Sequence, residues 1–354
     1  MKLSGYYKSK GNKVTLKTDY VNLQGYEKVF ISKVFTKTEV PGTVLCLPNV
    51  SYGGTGFFYS KAPSLPDEVE HCFPDYELYS GYVNAQLQRG IKRSALKCFL
   101  DYSIGFLTRG CPRSCGFCVN AKNNRCETHS PISEFYDERR KKIMLLDDNI
   151  MAHPDWAALF EGIISTGKPF CCKQGIDVRL ITPCFAKMIN RARYDGDIYF
   201  AFDDLADGPL IERNLSMFRE HSGKRVKMYL FCGYDPNGRY SNDFWLSDIE
   251  SIFKRLAIIG KYRARPYLMR YEKYLESPFA GIYKNLATYC NAGGIFNSAS
   301  FSEFCANQLT KNNNKPCSAW LYYDGFIRQY PHFKEQYFTQ RYYGTAGVTE
   351  GCDI

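Results

Sequence analysis

From residue 103 onward, short apolar runs recur along the chain, beginning near Ser103, Ile143, Pro169, Ile198, Val226 and Ala264. Each run is the length of one buried strand, and helical patterns fill the intervals between them. In the first such pattern Trp156, Leu159, Phe160, Ile163 and Ile164 share a face at a period of about 3.6 residues; it opens near Pro154-Asp155 and stops at Gly167. The next begins at Thr182-Pro183, a capping residue followed by proline at the first helical position, and carries Phe185, Met188, Ile189 and Ala192. A third carries Phe244, Trp245, Ile249, Ile252, Phe253 and Leu256 and closes at Gly260. Strand–helix units in succession imply a parallel sheet with right-handed crossovers, either open and doubly wound or curved into a partial barrel. Both forms place ligands at the C-terminal strand ends.

The rest of the chain lacks this alternation. Residues 1–95 are rich in Gly, Pro and Tyr. Val29–Phe35 and Thr43–Leu47 read there as buried strands, followed by a permissive turn at Gly53-Gly54-Thr55-Gly56. Residues 277–354 contain two loop-like stretches, 291–294 and 311–316. The predicted class is α/β, with a small N-terminal α/β lobe (1–95), a partial (β/α)6 TIM-like barrel (96–276) and a C-terminal extension (277–354).

Composition narrows the function classes. At 45% hydrophobic and 23% charged residues the chain reads as an ordinary soluble protein. No stretch approaches the roughly 18 consecutive apolar residues of a membrane span. Residues Met1–Lys8 have no apolar block behind them, so no secretory signal is read there. The expectation is a cytoplasmic protein without a membrane partner. A net charge of +10 suits a polyanion such as nucleic acid or a phosphorylated substrate, and a basic but nonbinding surface is the equal alternative. The 28 Tyr and 25 Phe could stack bases, although most are expected in the core. Fifteen cysteines, an odd number, do not suit a disulfide framework in a reducing compartment. Some of them should therefore bind metal or act chemically, and the rest should be small buried hydrophobes.

The segment Ile104-Gly105-Phe106-Leu107-Thr108-Arg109-Gly110-Cys111-Pro112-Arg113-Ser114-Cys115-Gly116-Phe117-Cys118 meets that requirement. Three cysteines at C-x3-C-x2-C spacing follow the first strand of the repeat, on a loop carrying Gly110, Pro112 and Gly116. A [4Fe-4S] cluster normally takes four cysteines, so three leave one iron with an open position. The competing arrangement is a zinc knuckle that recruits Cys126 or His129 as a fourth ligand.

With Phe117 in the aromatic place, this pattern resembles the signature of radical S-adenosylmethionine (SAM) enzymes. The preceding Thr-Arg-Gly-Cys-Pro resembles the branch that includes cobalamin-dependent members and methylthiotransferases. The resemblance is specific at the motif and extends in looser form over residues 103–272. It implies that Cys111, Cys115 and Cys118 hold a [4Fe-4S] cluster whose free iron chelates SAM. It further implies reductive cleavage to a 5′-deoxyadenosyl radical that abstracts a substrate hydrogen atom. An electron donor of flavodoxin or ferredoxin type would be the partner. Asp147, Asp148 and Asn149 lie where such enzymes bind the SAM amino group, with a helix-capping cluster as the alternative. Gln174, Asp177 and Arg179 fall where polar groups face the ribose or carboxylate. Arg179 either clamps a carboxylate or pairs with Asp177 or Asp203. Gly233, followed by Tyr234, would let the backbone approach an adenine. Arg270 or Tyr271 would face the substrate.

Two departures from the branch stand out. No Asp-x-His-x-x-Gly occurs, and none of His71, His129, His153, His221 and His332 fits it, so no histidine-ligated cobalamin is expected. Residues 1–95 would then be a shortened relative of the cobalamin-binding lobe. Cys290, Cys305 and Cys317 match no auxiliary-cluster spacing, and Cys171-Cys172 on one strand would point to opposite faces. A nucleotide or nucleic acid base is the first expectation for the substrate, with a peptide or small metabolite as the alternative. The rival from another class is a noncatalytic zinc- or cluster-stabilised nucleic-acid-binding protein. A plain SAM-dependent methyltransferase lacks its usual Gly-rich loop here.

Overall fold

The computed structural model describes residues 1–120, 124–312 and 315–343. The protein is mixed α/β and divides into two compact units, Met1–Gln174 and Gly175–Ile354.

The first unit opens with a helix, Lys2–Ser9, and a two-stranded parallel sheet of β1 (Val29–Ser32) and β2 (Val50–Gly53). The strand expected at Thr43–Leu47 is instead one helical turn, Gly42–Leu45. Pro41 fixes the start of that turn, and its carbonyl accepts from the amides of Val44 and Leu45. Only Val44 is buried, so the run has one inward contact where a buried strand needs two covered faces. Strand β1 also stops short of the expected Phe35, because Val34 and Phe35 are exposed. Gly54 adopts φ 100°, as a turn there requires, and a Cβ on it would run into the Lys33 carbonyl.

The second sheet of this unit comprises β3 (Tyr102–Gly105), β6 (Lys142–Leu145) and β7 (Phe170–Cys172), all parallel and in chain order. Ile143, Leu145, Phe170 and Cys172 are buried while Met144 and Cys171 alternate on the other face. Cys171 and Cys172 thus diverge as the pleat requires. Between β3 and β6 lies a small antiparallel pair, β4 (Thr108–Arg109) and β5 (Glu127–Thr128). The helix Trp156–Ile164 buries Phe160 and Ile163 as its period requires, and Gly167 ends that region at φ 69°.

In the second unit β8 (Ile198–Ala201), β9 (Val226–Cys232) and β10 (Arg265–Arg270) form a parallel sheet, again in chain order. Val226, Met228, Leu230 and Cys232 are buried, alternating with Lys227, Tyr229 and Phe231. Two helices of this unit have side-chain caps, and the second packs on β9 and β10. Thr182 accepts from the Phe185 amide to start Pro183–Arg191, and Ser241 accepts from Phe244 to start Asn242–Lys261. Arg255, only 1% exposed, donates to the carbonyls of Phe202 and Phe231 and ties the ends of β8 and β9. Asn291 occupies both main-chain groups of Leu268 on β10 and so covers that edge.

The stretch 291–294, expected as loop, is shorter than that, because a new helix begins at Gly293 (Gly293–Ser298). The helix Phe301–Lys311 follows with a capping box between Ser300 and Glu303. The loop expected at 311–316 includes residues 313 and 314, which lie outside the described residues. No described helix is long and apolar enough to cross a membrane, and neither three-stranded sheet is closed.

Candidate functional site

In the first unit the three cysteines sit on the segment that leaves β4 and returns through β5. The Thr108–Thr128 and Arg109–Glu127 pairs close its base. Two left-handed residues, Gly110 at φ 89° and Ser114 at φ 45°, turn the chain around Cys111 and Cys115. The Cys118 amide donates to the Cys115 carbonyl at 2.9 Å. All three thiols are half-buried.

The end of β6 holds this loop in place. Asp147 is 4% exposed and accepts from the Thr108 amide (2.6 Å), the Thr108 hydroxyl (2.7 Å) and the Leu107 amide (3.1 Å). Burial pushes its carboxyl above the usual carboxylate range, and the Thr108 and Leu107 donors pull it part of the way back. Asp148 accepts from the Gly110 amide (3.0 Å) and from the Asn120 side chain (2.7 Å). Asn149 donates through Nδ2 to Cys111 Sγ at 3.4 Å, and the Asn120 amide donates to Cys118 Sγ at 3.4 Å. The Asp-Asp-Asn run, expected to face a ligand, therefore spends its two carboxylates on the strand and loop that carry the cysteines. Phe117 is half-buried, and its carbonyl accepts from the Tyr59 hydroxyl at 3.3 Å.

The two side chains considered as a fourth ligand behave differently. His129 contacts Ser130 at 2.9 Å and Glu70 at 3.4 Å. Cys126 donates to the Asn149 carbonyl at 3.2 Å, and burial, together with the charges of Asp147, Cys111 and Asp148, pushes its thiol up. Among the described residues no three His, Cys, Asp or Glu side chains form a group that could hold a metal ion. One ion needs its ligands around a single point. A cube puts each thiolate on a different iron.

Compared with known protein families the chain matches no family model, and no curated protein matches it either. The site must be read from its own geometry.

Gln174, two residues past β7, is exposed at the end of the first unit. The remaining expected contacts lie in the second unit. Arg179 forks onto Asp177, with Nε at 2.7 Å from one carboxylate oxygen and Nη2 at 3.2 Å from the other. Its Nη1 reaches Asp207 at 2.7 Å, and these two carboxylates raise its pKa against the opposing effect of burial. Of the two expected roles for Arg179, this is the one that pairs it with Asp177. Asp203 accepts from the Phe231 amide at 3.2 Å; burial raises its carboxyl while the Arg255 charge opposes that.

Gly233 has φ 78° and donates to Asp248 at 2.8 Å. The space a side chain would take there is filled by Tyr274 at 3.3 Å, so its conformation serves packing in this unit. Tyr234 meets Tyr271 edge-on at 5.1 Å. Arg270 is exposed and lies over the Tyr274 ring at 4.5 Å. Cys290 and Cys305 are buried, and burial raises both thiols.

Sequence reasoning passed over Asn120 and Tyr59. Asn120 lies two residues past Cys118 and was the more legible of the two.

Proposed function

We propose that the protein is a radical SAM enzyme in which Cys111, Cys115 and Cys118 hold a [4Fe-4S] cluster with one iron left open. The observation that carries this reading is the three-thiol loop, fixed at its base by β4–β5 and along its length by Asp147 and Asp148. The donor set fits such a cluster. The thiols are half-buried, Cys111 and Cys118 accept N–H bonds, and all three lie within eight residues of one loop. Bound there, a cluster would supply one-electron reductive cleavage of S-adenosylmethionine and, with it, hydrogen-atom abstraction from a substrate.

The chain's own work is to hold the ligands and orient them. Asp147 fixes Leu107 and Thr108 where the strand turns into the loop. Asp148 joins the first residue of the turn, Gly110, to Asn120, two residues beyond its last cysteine. Asn149 holds the Cys111 sulfur in an N–H bond from its side chain. Gln174, exposed at the end of the first unit, is the proposed contact to SAM beyond the loop, and the parallel, chain-ordered strands within each sheet are those of strand–helix units of a partial barrel. A flavodoxin- or ferredoxin-type protein is the proposed electron donor, and a nucleotide or nucleic acid base the proposed substrate. The proposed setting is cytoplasmic.

The test is anaerobic reconstitution with iron and sulfide, followed by reductant and SAM. Release of 5′-deoxyadenosine supports the reading; a reconstituted, reduced protein that leaves SAM intact refutes it.

One observation favours a second reading. Asn149 bonds Cys126 through its carbonyl and Cys111 through its side chain, and a fourth thiolate would close the site as structural zinc sites are closed. Stoichiometric zinc that is lost in Cys126→Ala would establish that reading. Iron retained in Cys126→Ala would dismiss it.

A further inference from the structure

The start of the N-terminal lobe carries basic and aromatic residues that the cysteine chemistry does not use. Its first 61 residues contain nine lysines, no arginine and only three carboxylates. Strands β1 and β2 are parallel, so their C-terminal edge is where a sheet of this kind takes its ligand.

That edge bears an aromatic cluster. Tyr52 at the end of β2 is 41% exposed and lies parallel to Phe58, 37% exposed, with ring centroids 5.7 Å apart and planes within 2°. Phe57 packs on Tyr52 at 4.8 Å, and the Lys33 ammonium lies 4.7 Å over the Phe57 ring. Tyr59 follows with φ 48°, a conformation that costs a bulky residue energy, and its ring is 46% exposed. Its hydroxyl makes the bond to the Phe117 carbonyl of the cysteine loop at 3.3 Å. The aromatic cluster and the thiol loop are thus joined within one unit.

A stable protein gains nothing by leaving several rings in water beside the Lys33 ammonium. A single-stranded polynucleotide answers both features. Its bases stack on aromatic faces irrespective of sequence, and its phosphates take the ammonium groups. A duplex offers no free base face, and an acidic peptide offers charge without stacking.

We propose that Lys33, Tyr52, Phe57, Phe58 and Tyr59 form a stacking platform for a single-stranded nucleic acid. Through the Tyr59–Phe117 contact the platform sets an unpaired base beside the cysteine loop. This deepens the functional reading by naming its substrate class, and its placement of the base rests on that reading. The binding itself does not need the cluster.

The experiment is fluorescence anisotropy of the full-length protein with labelled 15-nucleotide U-only RNA, T-only DNA and a mixed-sequence duplex, across a salt series. Binding of a single strand in preference to the duplex is expected, weakening steeply as salt rises. The RNA and DNA arms identify the sugar. Tyr52→Ala and Phe58→Ala should each weaken that binding about ten-fold at fixed salt. Lys33→Gln should flatten the salt dependence. Circular dichroism confirms that each variant is folded, and Phe58→Leu, which keeps the bulk and loses the ring, separates stacking from packing.

No binding at low salt, equal binding of duplex and single strand, or unchanged binding in Tyr52→Ala, Phe58→Ala and Phe58→Leu would each overturn the platform. A protein that binds the strand but never cleaves SAM would keep the platform and refute only the radical chemistry.

Discussion

The two units use polar residues at their strand ends in opposite ways. At the end of β6, Asp147, Asp148 and Asn149 reach across about 40 residues of sequence to hold the loop that carries three thiols. In the second unit, Arg179, Asp177 and Asp207 hold one another, while Gly233, Asp248 and Tyr283 form a closed internal set. Carboxylates and amides that grip a cysteine loop make a reactive group possible. Carboxylates that grip an arginine stabilise their own corner. Position at a strand end is therefore a weak guide to role, and the partner atom decides.

Substitutions can break this contrast, and the largest effect is expected at the cysteines. Cys115→Ala should abolish cluster assembly, seen as loss of bound iron and of the visible iron–sulfur absorption after anaerobic reconstitution. Retention of both in the variant would remove the basis of the contrast.

Next comes Asp147→Ala. Removing a buried carboxylate that takes three donors leaves two amides and a hydroxyl unsatisfied, a loss of about 2–4 kcal/mol in folding free energy. The denaturant midpoint measures it, and iron uptake should fall with it.

Arg179→Ala should cost less, about 1–3 kcal/mol, because it leaves the buried Asp177 charge without its fork. Cluster assembly should be unaffected. A variant of unchanged stability that binds SAM weakly would reverse the assignment and make Arg179 a ligand clamp. Arg179→Lys should not restore full stability, because an ammonium cannot reproduce the forked contact.

The smallest effect concerns pH. The Arg341 guanidinium and the Ser300 amide hold the Glu303 carboxyl down to about 2, below its ordinary value near 4.5. A depressed carboxylate stabilises the fold fully above the ordinary value and loses that contribution as pH falls toward about 2. Glu303 is 42% exposed, so solvent screening keeps the contribution under about 1 kcal/mol. Arg341→Ala should thus reduce stability at neutral pH slightly and flatten the acid limb of a stability–pH curve between those values.

The strand positions were legible because each of the six apolar runs is short and bounded by turn or helix signals. All six emerge as strands. Thr43–Leu47 misled because a short apolar run satisfies a helical turn as well as a strand, and Pro41 tipped it. Strands β4 and β5 were not legible: two residues each, partly polar, they carry no period to detect.

The cysteine spacing and the Asp-Asp-Asn run were visible as candidates. Their relation was not, because nothing local tells Asp148 that its partners are Gly110 and Asn120. For the same reason Arg179 could not choose among its neighbours from sequence, and Asp207 was not anticipated at all.

The proposed chemistry needs an iron corner that no protein side chain fills. Electron paramagnetic resonance of the reconstituted, reduced protein tests this directly, recorded before and after SAM is added. About four irons per chain and a cluster signal that changes shape on SAM addition are the expected result. A signal indifferent to saturating SAM, from a cluster closed by a fourth side chain, would contradict it.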